Sequence, residues 1–214
     1  MIAAVLALQG DFDSHLKALR RHFSIRDIVL IKKTNDIKRI DNLDILAIPG
    51  GESSTFSYLL EYNNMIDDLV DLIKNRTKVV LGTCAGAILL AKNVVNKGRS
   101  NNLGIVDITI QRNAYGRQVD SFIGNLRLSE LAGKYEIDIS NIDSSKLEAV
   151  FIRAPKIIDV GSNVEILGYV DNDPVFVREN NIILTTFHPE LSNNSVVYDI
   201  IRQIALTSTE INFT

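Results

Sequence analysis

Val79-Val80-Leu81-Gly82-Thr83-Cys84-Ala85-Gly86-Ala87-Ile88-Leu89-Leu90-Ala91 changes character at its centre. Before Cys84 the stretch is β-branched, aliphatic and uncharged, the composition of a short buried strand. After it come small residues and then Ile88, Leu89 and Ala91, which predict a helix without a polar face for two turns. The cysteine therefore falls on a strand-to-helix turn. Gly82 and Gly86 flank it symmetrically, giving G-x-C-x-G, the thiol counterpart of the G-x-S-x-G elbow that holds a nucleophile above the end of a sheet. A thiol so placed faces the first N–H groups of the helix, whose partial positive charge favours thiolate. A lone cysteine among aliphatic residues also fits a small core hydrophobe, and the spacing alone leaves both readings open.

Moving outward toward the N-terminus, strand and helix signals alternate. Residues 2–8 form a continuous apolar run, and Asp11 or Asp13 can cap a following helix with Leu16, Leu19 and Phe23 at helical spacing. His15 and His22 fall on that helix with no carboxylate arranged beside them, and are expected to be ordinary surface histidines. Further strands are expected at 28–31 and 44–48. The second of these runs into Pro49-Gly50-Gly51-Glu52-Ser53-Ser54, where proline ends the ladder and two glycines permit a turn closed to other residues. Helices are expected over about 53–60 and 66–74. Four short hydrophobic strands separated by helical segments imply a mostly parallel central sheet covered by helices on both faces, a three-layer α/β fold.

Beyond the elbow the pattern loosens. Residues 105–111 alternate apolar and polar, as expected of a strand with one wet face and antiparallel pairing. A polar segment, 112–118, follows. Residues 129–146 are rich in Asp, Ser and Asn, and read as a surface excursion. Strands return at 149–152, 164–170, 174–178 and 182–188, and a final amphipathic helix is expected over about 194–206. No linker or internal repeat divides residues 1–214, which read as a single domain.

Composition narrows the function classes. The chain has 214 residues, is 46% hydrophobic and carries a formal net charge of -3. Its charges are interspersed, as on solvated helix faces, so neither nucleic acid nor a membrane surface is expected as a partner. One cysteine excludes an internal disulfide and fits a reducing compartment, and no signal segment is evident; a cytoplasmic location is expected. The sequence has neither metal-site spacing nor a phosphate-binding glycine fingerprint, so no metal is expected.

His188-Pro189-Glu190 supplies the second chemical signal, at the end of the last strand. Residues two apart in an extended chain point to the same side, so the carboxylate can hold one ring nitrogen while the other faces outward. Such a base and its orienting group are what an activated thiol needs nearby in space. Alone, His188 would also fit a surface histidine near a turn.

The segments PGGES (Pro49 to Ser53), GTCAG (Gly82 to Gly86) and FHPE (Phe187 to Glu190) together resemble the class I, triad-type glutamine amidotransferases, whose fold is flavodoxin-like. Leu6-Ala7-Leu8-Gln9-Gly10, the run from Arg112 through Phe122, and Phe151-Ile152-Arg153-Ala154-Pro155 narrow the resemblance to the glutaminase subunits of pyridoxal 5′-phosphate synthases. It extends from Met1 to about Arg202. Ser54 stands where that family usually has threonine, and 129–146 is longer than in compact relatives.

The resemblance implies hydrolysis of L-glutamine to L-glutamate and ammonia, with Cys84 as nucleophile, His188 as base and Glu190 as orienter. It implies an oxyanion hole from Gly51 and Ala85, and a glutamine pocket of Gly50, Gly51, Glu52, Arg112, Ile152 and Arg153. Gln9 would link partner docking to the hole. The implied partner is the synthase (lyase) subunit, in a hetero-oligomer, and pyridoxal phosphate would be that partner's product, with no cofactor in this chain. Competing expectations are another cysteine hydrolase of the same fold, a glutaminase serving a different synthase, and a catalytically silent interaction subunit.

Overall fold

The computed structural model describes residues 1–96, 101–114, 121–135 and 147–210. In chain order the first half runs β1 (Ile2–Leu6), α1 (Phe12–His22), β2 (Asp27–Ile31), α2 (Thr34–Lys38), β3 (Leu43–Ile48), α3 (Ser53–Tyr62), α4 (Ile66–Asn75), β4 (Thr77–Thr83) and α5 (Ala85–Leu90). The second half adds β5 (Ala91–Val95), β6 (Val106–Gln111), β7 (Ser121–Asn125), β8 (Arg127–Leu128), β9 (Glu148–Ile152), β10 (Lys156–Val160), β11 (Glu165–Val170), β12 (Asp173–Glu179), β13 (Ile182–Thr185) and α6 (Val196–Glu210).

The main sheet has the order β2-β1-β3-β4-β13-β12-β11-β8. The first five strands pair in parallel, and the last three extend the sheet antiparallel. Successive residues of the parallel strands feed two different cores. Val5, Ala47, Leu81 and Ile183 pack on one face with Leu19 of α1 and Ile200, Ile201 and Ile204 of α6. Leu6, Ile48, Val80 and Leu184 pack on the other with Phe56, Leu60, Leu69 and Leu72 of α3 and α4. Burial on both faces is why these strands read as unbroken apolar runs.

Several sequence expectations change in the folded chain. The elbow helix stops at Leu90, because Ala91 adopts extended φ/ψ (-61°, 145°) and begins β5. β6 does pair antiparallel, with β10, but it also pairs parallel with β5, in a separate three-stranded sheet. β7 and β9 form a further two-stranded antiparallel pair. The stretch expected as a surface excursion begins by packing on the main sheet: Ser129 donates its N–H to the Leu167 carbonyl at 2.9 Å, and Ala132 and Tyr135 are buried. Residues 136–146, the rest of that stretch, lie outside the described residues, as do 115–118 of the polar segment. The last strand ends at Thr185, earlier than expected, while α6 extends to Glu210.

β3, β4 and β13 are neighbours and run in the same direction, so their carboxyl ends share one edge of the sheet. From that edge emerge the Pro49-Gly50-Gly51 turn, Cys84 and the segment carrying His188. Segments far apart in sequence thus meet within two strand spacings, the location where open α/β sheets place their ligands.

Candidate active site

Cys84 occupies the elbow with φ 48° and ψ -101°, a left-handed backbone uncommon for any residue but glycine. The end of β13 and the first turn of α5 hold it there. Its N–H donates to the Thr185 carbonyl at 2.8 Å, and its own carbonyl accepts from Ile88 N–H at 3.2 Å. The thiol is buried, with Sγ 3.9 Å from the Ile152 carbonyl oxygen.

His188 follows β13, and its N–H donates to the Val150 carbonyl of β9 at 2.8 Å. Its Nδ1 lies 2.7 Å from Oε1 of Glu190, and its ring faces Gly50 beside Cβ of Cys84, with His188 and Cys84 both lining one cavity. On sequence, His188 and Glu190 were expected to share one side of an extended chain. The structure pairs them differently: β13 has already ended, and a 3₁₀ turn over Pro189–Leu191, closed by Leu191 N–H to the His188 carbonyl, folds the carboxylate back under the ring.

Electrostatics follow from this geometry. Burial opposes a charged His188 ring, but the Cys84 hydrogen bond and the Glu190 carboxylate outweigh it and push its pKa up to about 10. Burial likewise opposes ionised Glu190, whose side chain is 1% exposed. Contacts with His15 and His188 overcome that and hold the carboxyl below the usual carboxylate range.

His15 is the largest departure from the sequence reading. Far from being a surface residue without a carboxylate, it is buried, with Nε2 3.2 Å from Oε1 of Glu190 and 3.0 Å from Oγ1 of Thr83. His22 also turns partly inward, stacking on Tyr198 with ring centroids 4.3 Å apart. A signal was present: His15, Ala18 and Leu19 share one face of α1, at i, i+3 and i+4.

The other wall is the glycine turn. Gly51 has φ 143°, open only to glycine at no steric cost, and any Cβ there would strike the Gln9 carboxamide. Gln9 in turn accepts the N–H of Glu52 on Oε1 at 3.0 Å, so the structure brings Gln9 to the turn. Glu52 caps α3 by accepting from Thr55 N–H at 2.6 Å and Thr55 Oγ1 at 2.9 Å. Burial raises its pKa, but these hydrogen bonds prevail and lower it. Arg112 Nη2 donates to Oε1 of Glu52 and to Oγ of Ser54, each at 3.0 Å. Serine supplies the hydroxyl that threonine would, so this departure from the family pattern leaves the contact intact.

A cavity of about 300 Å³ joins the two walls. Gly50, Gly51, Glu52, Arg112, Ile152 and Arg153 line it, together with Cys84 and His188. Ala85, the first residue of α5, is 1% exposed behind Cys84 and does not line it. Asp11 and Asn113, which the sequence reading did not select, also face the cavity. Among the described residues, no group of three or more His, Cys, Asp or Glu side chains is disposed to hold a metal ion, and no helix is long and apolar enough to cross a membrane.

The profile of the SNO glutamine amidotransferase family matches residues 5–205. The chain belongs to that family. The pyridoxal 5′-phosphate synthase subunit PdxT of Thermotoga petrophila is 42% identical over 194 residues, covering 91% of this chain and 94% of that protein. PdxT of Koribacter versatilis is 40% identical over 200 residues, covering 94% and 93%. A crystal structure of a glutamine amidotransferase superposes with a TM-score of 0.77 at 32% identity, covering 96% of this chain and 99% of the other. The fold is shared more widely: a putative GMP synthase component from Thermoplasma acidophilum, 16% identical, gives a TM-score of 0.61 over 99% of this chain and 96% of its own.

In this SNO-family chain the chemical capacity of the site is specific. A thiol, an imidazole and a carboxylate stand in line at the sheet edge, and the thiol and imidazole open on a cavity whose far wall carries opposite charges, Glu52 and Arg112. That arrangement can activate a sulfur nucleophile and receive a small zwitterion.

Proposed function

We propose that this chain hydrolyses L-glutamine to L-glutamate and ammonia through a thioester on Cys84, and delivers the ammonia to a synthase subunit that makes pyridoxal 5′-phosphate. The supporting observation is the buried line from Cys84 through His188 to Glu190, opening on a cavity sized for one amino acid. Sγ of Cys84 attacks the side-chain amide carbon after its proton has passed to His188, whose raised pKa favours the charged ring. The tetrahedral intermediate collapses with loss of the amide nitrogen, which leaves as ammonia with the proton from His188. Water, deprotonated by His188, then cleaves the thioester to glutamate and restores the thiol. Glu190 fixes the ring and stabilises its charged form throughout.

Each tetrahedral intermediate places negative charge on the former carbonyl oxygen, and the N–H groups of Ala85 and Gly51 are its donors, each worth about 3 kcal/mol of transition-state stabilisation. Arg112 and Arg153 supply the cations for the substrate carboxylate and Glu52 the anion for its ammonium, with Gly50 and Ile152 shaping the walls. In the described structure Glu52 and Arg112 pair with each other, so a bound zwitterion exchanges one ion pair for two. The whole chain, 1–214, acts as one glutaminase domain, in the cytoplasm and within a hetero-oligomer.

Docking of the synthase subunit switches the site on. Free ammonia is mostly protonated at neutral pH and no longer nucleophilic, so uncoupled hydrolysis is wasteful. The Gly50-Gly51 turn has the freedom to present either an N–H or a carbonyl to the oxyanion, and Gln9, beside Gly51 and bonded to Glu52 N–H, is placed to report docking to it. The test is ammonia release from glutamine and from asparagine, alone and with saturating synthase subunit, for wild type and Gln9→Ala. Activity on glutamine that rises with the partner is expected. Equal rates with and without partner would refute the switch, an unaffected Gln9→Ala only the relay, and no glutamine hydrolysis in either condition the whole reading.

A further inference from the structure

α1 turns one polar ring into the core of the molecule. His15 is 1% exposed, yet its partners are not hydrophobic: Nε2 meets Oε1 of Glu190 at 3.2 Å and Oγ1 of Thr83 at 3.0 Å. The same Oε1 accepts from Nδ1 of His188 at 2.7 Å. One carboxylate oxygen is thus gripped by two imidazoles, from opposite ends of the chain.

The hydrogen positions follow from elementary chemistry. An Nε2 lone pair would be repelled by a carboxylate oxygen, so Nε2 of His15 carries its hydrogen, and that one hydrogen is shared between Oγ1 of Thr83 at 3.0 Å and Oε1 of Glu190 at 3.2 Å. Thr83 is the last residue of β4 and directly precedes Cys84. His15 therefore bridges the strand end that carries the nucleophile and the carboxylate that holds the base.

Such a bridge has work to do. Glu190 sits on a three-residue 3₁₀ turn, where its side chain has several rotamers, and an ionised carboxylate away from water needs fixed donors. A donor anchored on an eleven-residue helix selects the rotamer in which Oε1 faces His188. The depressed pKa of Glu190, set by burial on one side and by His15 and His188 on the other, agrees with that grip.

We propose that His15 is a positioning residue for glutamine hydrolysis, locking the Glu190 carboxylate against His188 and tying it through Thr83 to the strand end that carries Cys84. The inference rests on the reading of Cys84, His188 and Glu190 as nucleophile, base and orienter.

The test compares three variants in the complex with the synthase subunit. His15→Leu removes the donor and keeps bulk; His15→Asn carries an amide that reaches only the position of Nδ1; His15→Gln carries one that reaches the position of Nε2. Loss of a hydrogen bond to a charged group predicts kcat lower by roughly 10- to 100-fold in His15→Leu and His15→Asn. KM for glutamine should stay within about threefold, because His15 does not touch the pocket. His15→Gln should recover to within about fivefold of wild type, and in a Glu190→Gln background His15→Leu should add little further loss. Wild-type kcat in His15→Asn, equal losses in His15→Asn and His15→Gln, or full additivity with Glu190→Gln would each overturn the proposal. Should His15→Leu fail to fold, the Asn and Gln pair decides alone. The underlying triad fails by a different result, sustained turnover in Cys84→Ala or His188→Asn.

Discussion

Gly50→Ala probes the closest approach between the two walls of the site. A methyl group built at Gly50 would stand 2.5 Å from Cε1 of His188, and 3.3 Å from both its Nδ1 and Cβ of Cys84. Carbon atoms in comfortable contact are about 3.5 Å apart or more, so either the ring or the turn must yield by about 1 Å. The ring is tied by its backbone to Val150, and by Nδ1 to Glu190. The turn is tied through Glu52 N–H to Gln9. Whichever yields, the proposed catalysis suffers: a shifted ring leaves the thiol, and a shifted turn moves the Gly51 N–H from the place proposed for it beside the oxyanion. A misplacement of this size lowers rates on the order of 100-fold, equivalent to about 2.7 kcal/mol in the barrier. Gly50 does not share the positive φ of Gly51, so alanine strains the site and not the backbone, and the variant should keep the wild-type circular dichroism spectrum. The assay is steady-state ammonia release with the synthase partner at saturation. Turnover within about threefold of wild type would refute the argument, because the ring and the turn could not then meet this closely in the working enzyme.

Two further predictions concern protons at the site. Cys84→Ala should abolish glutamine hydrolysis without loss of fold. Burial of the His188 ring would then be opposed by Glu190 without the thiol, so its pKa should fall below the value of about 10, read by NMR titration of the ring Cε1 proton; normal turnover would exclude the thioester, and an unchanged titration would exclude the thiol–imidazole contact. The second is thermal stability against pH. The folded-state pKa of His188 is raised, so its contribution is fully present below about pH 6.5 and is lost as pH rises through about 10. That of Glu190 is depressed, so its contribution is present above the ordinary carboxylate range and lost as pH falls below it. Melting temperatures should decline on the alkaline side, and less steeply in His188→Asn; an identical slope in that variant would contradict the assignment.

How much of this was legible in the sequence depends on how local each cause is. The parallel half was readable because burial on both faces leaves an unbroken apolar run, as in Leu46-Ala47-Ile48 and Val79-Val80-Leu81. β5, β7, β8 and β10 were missed because they are short and partly exposed, and β7 alternates exposed and half-buried residues with no apolar run at all. At the site, residues carried on compact motifs were found: Cys84 between two glycines, His188 two residues from Glu190, and Gly51 in its turn. His15 was missed because its role is made by tertiary contact across most of the chain, and helical spacing marks it only as inward-facing beside Ala18 and Leu19. The burial that hid its partner also gives it meaning. A histidine on the wet face of α1 would be interchangeable with lysine or glutamine, whereas one placed 3.2 Å from a buried carboxylate has both its hydrogen and its rotamer dictated by that neighbour. Motifs at the ends of β3, β4 and β13 thus bring the glycine turn, the thiol and the imidazole together, and in the proposed mechanism a side chain from outside those motifs supplies the restraint that keeps Glu190 facing His188.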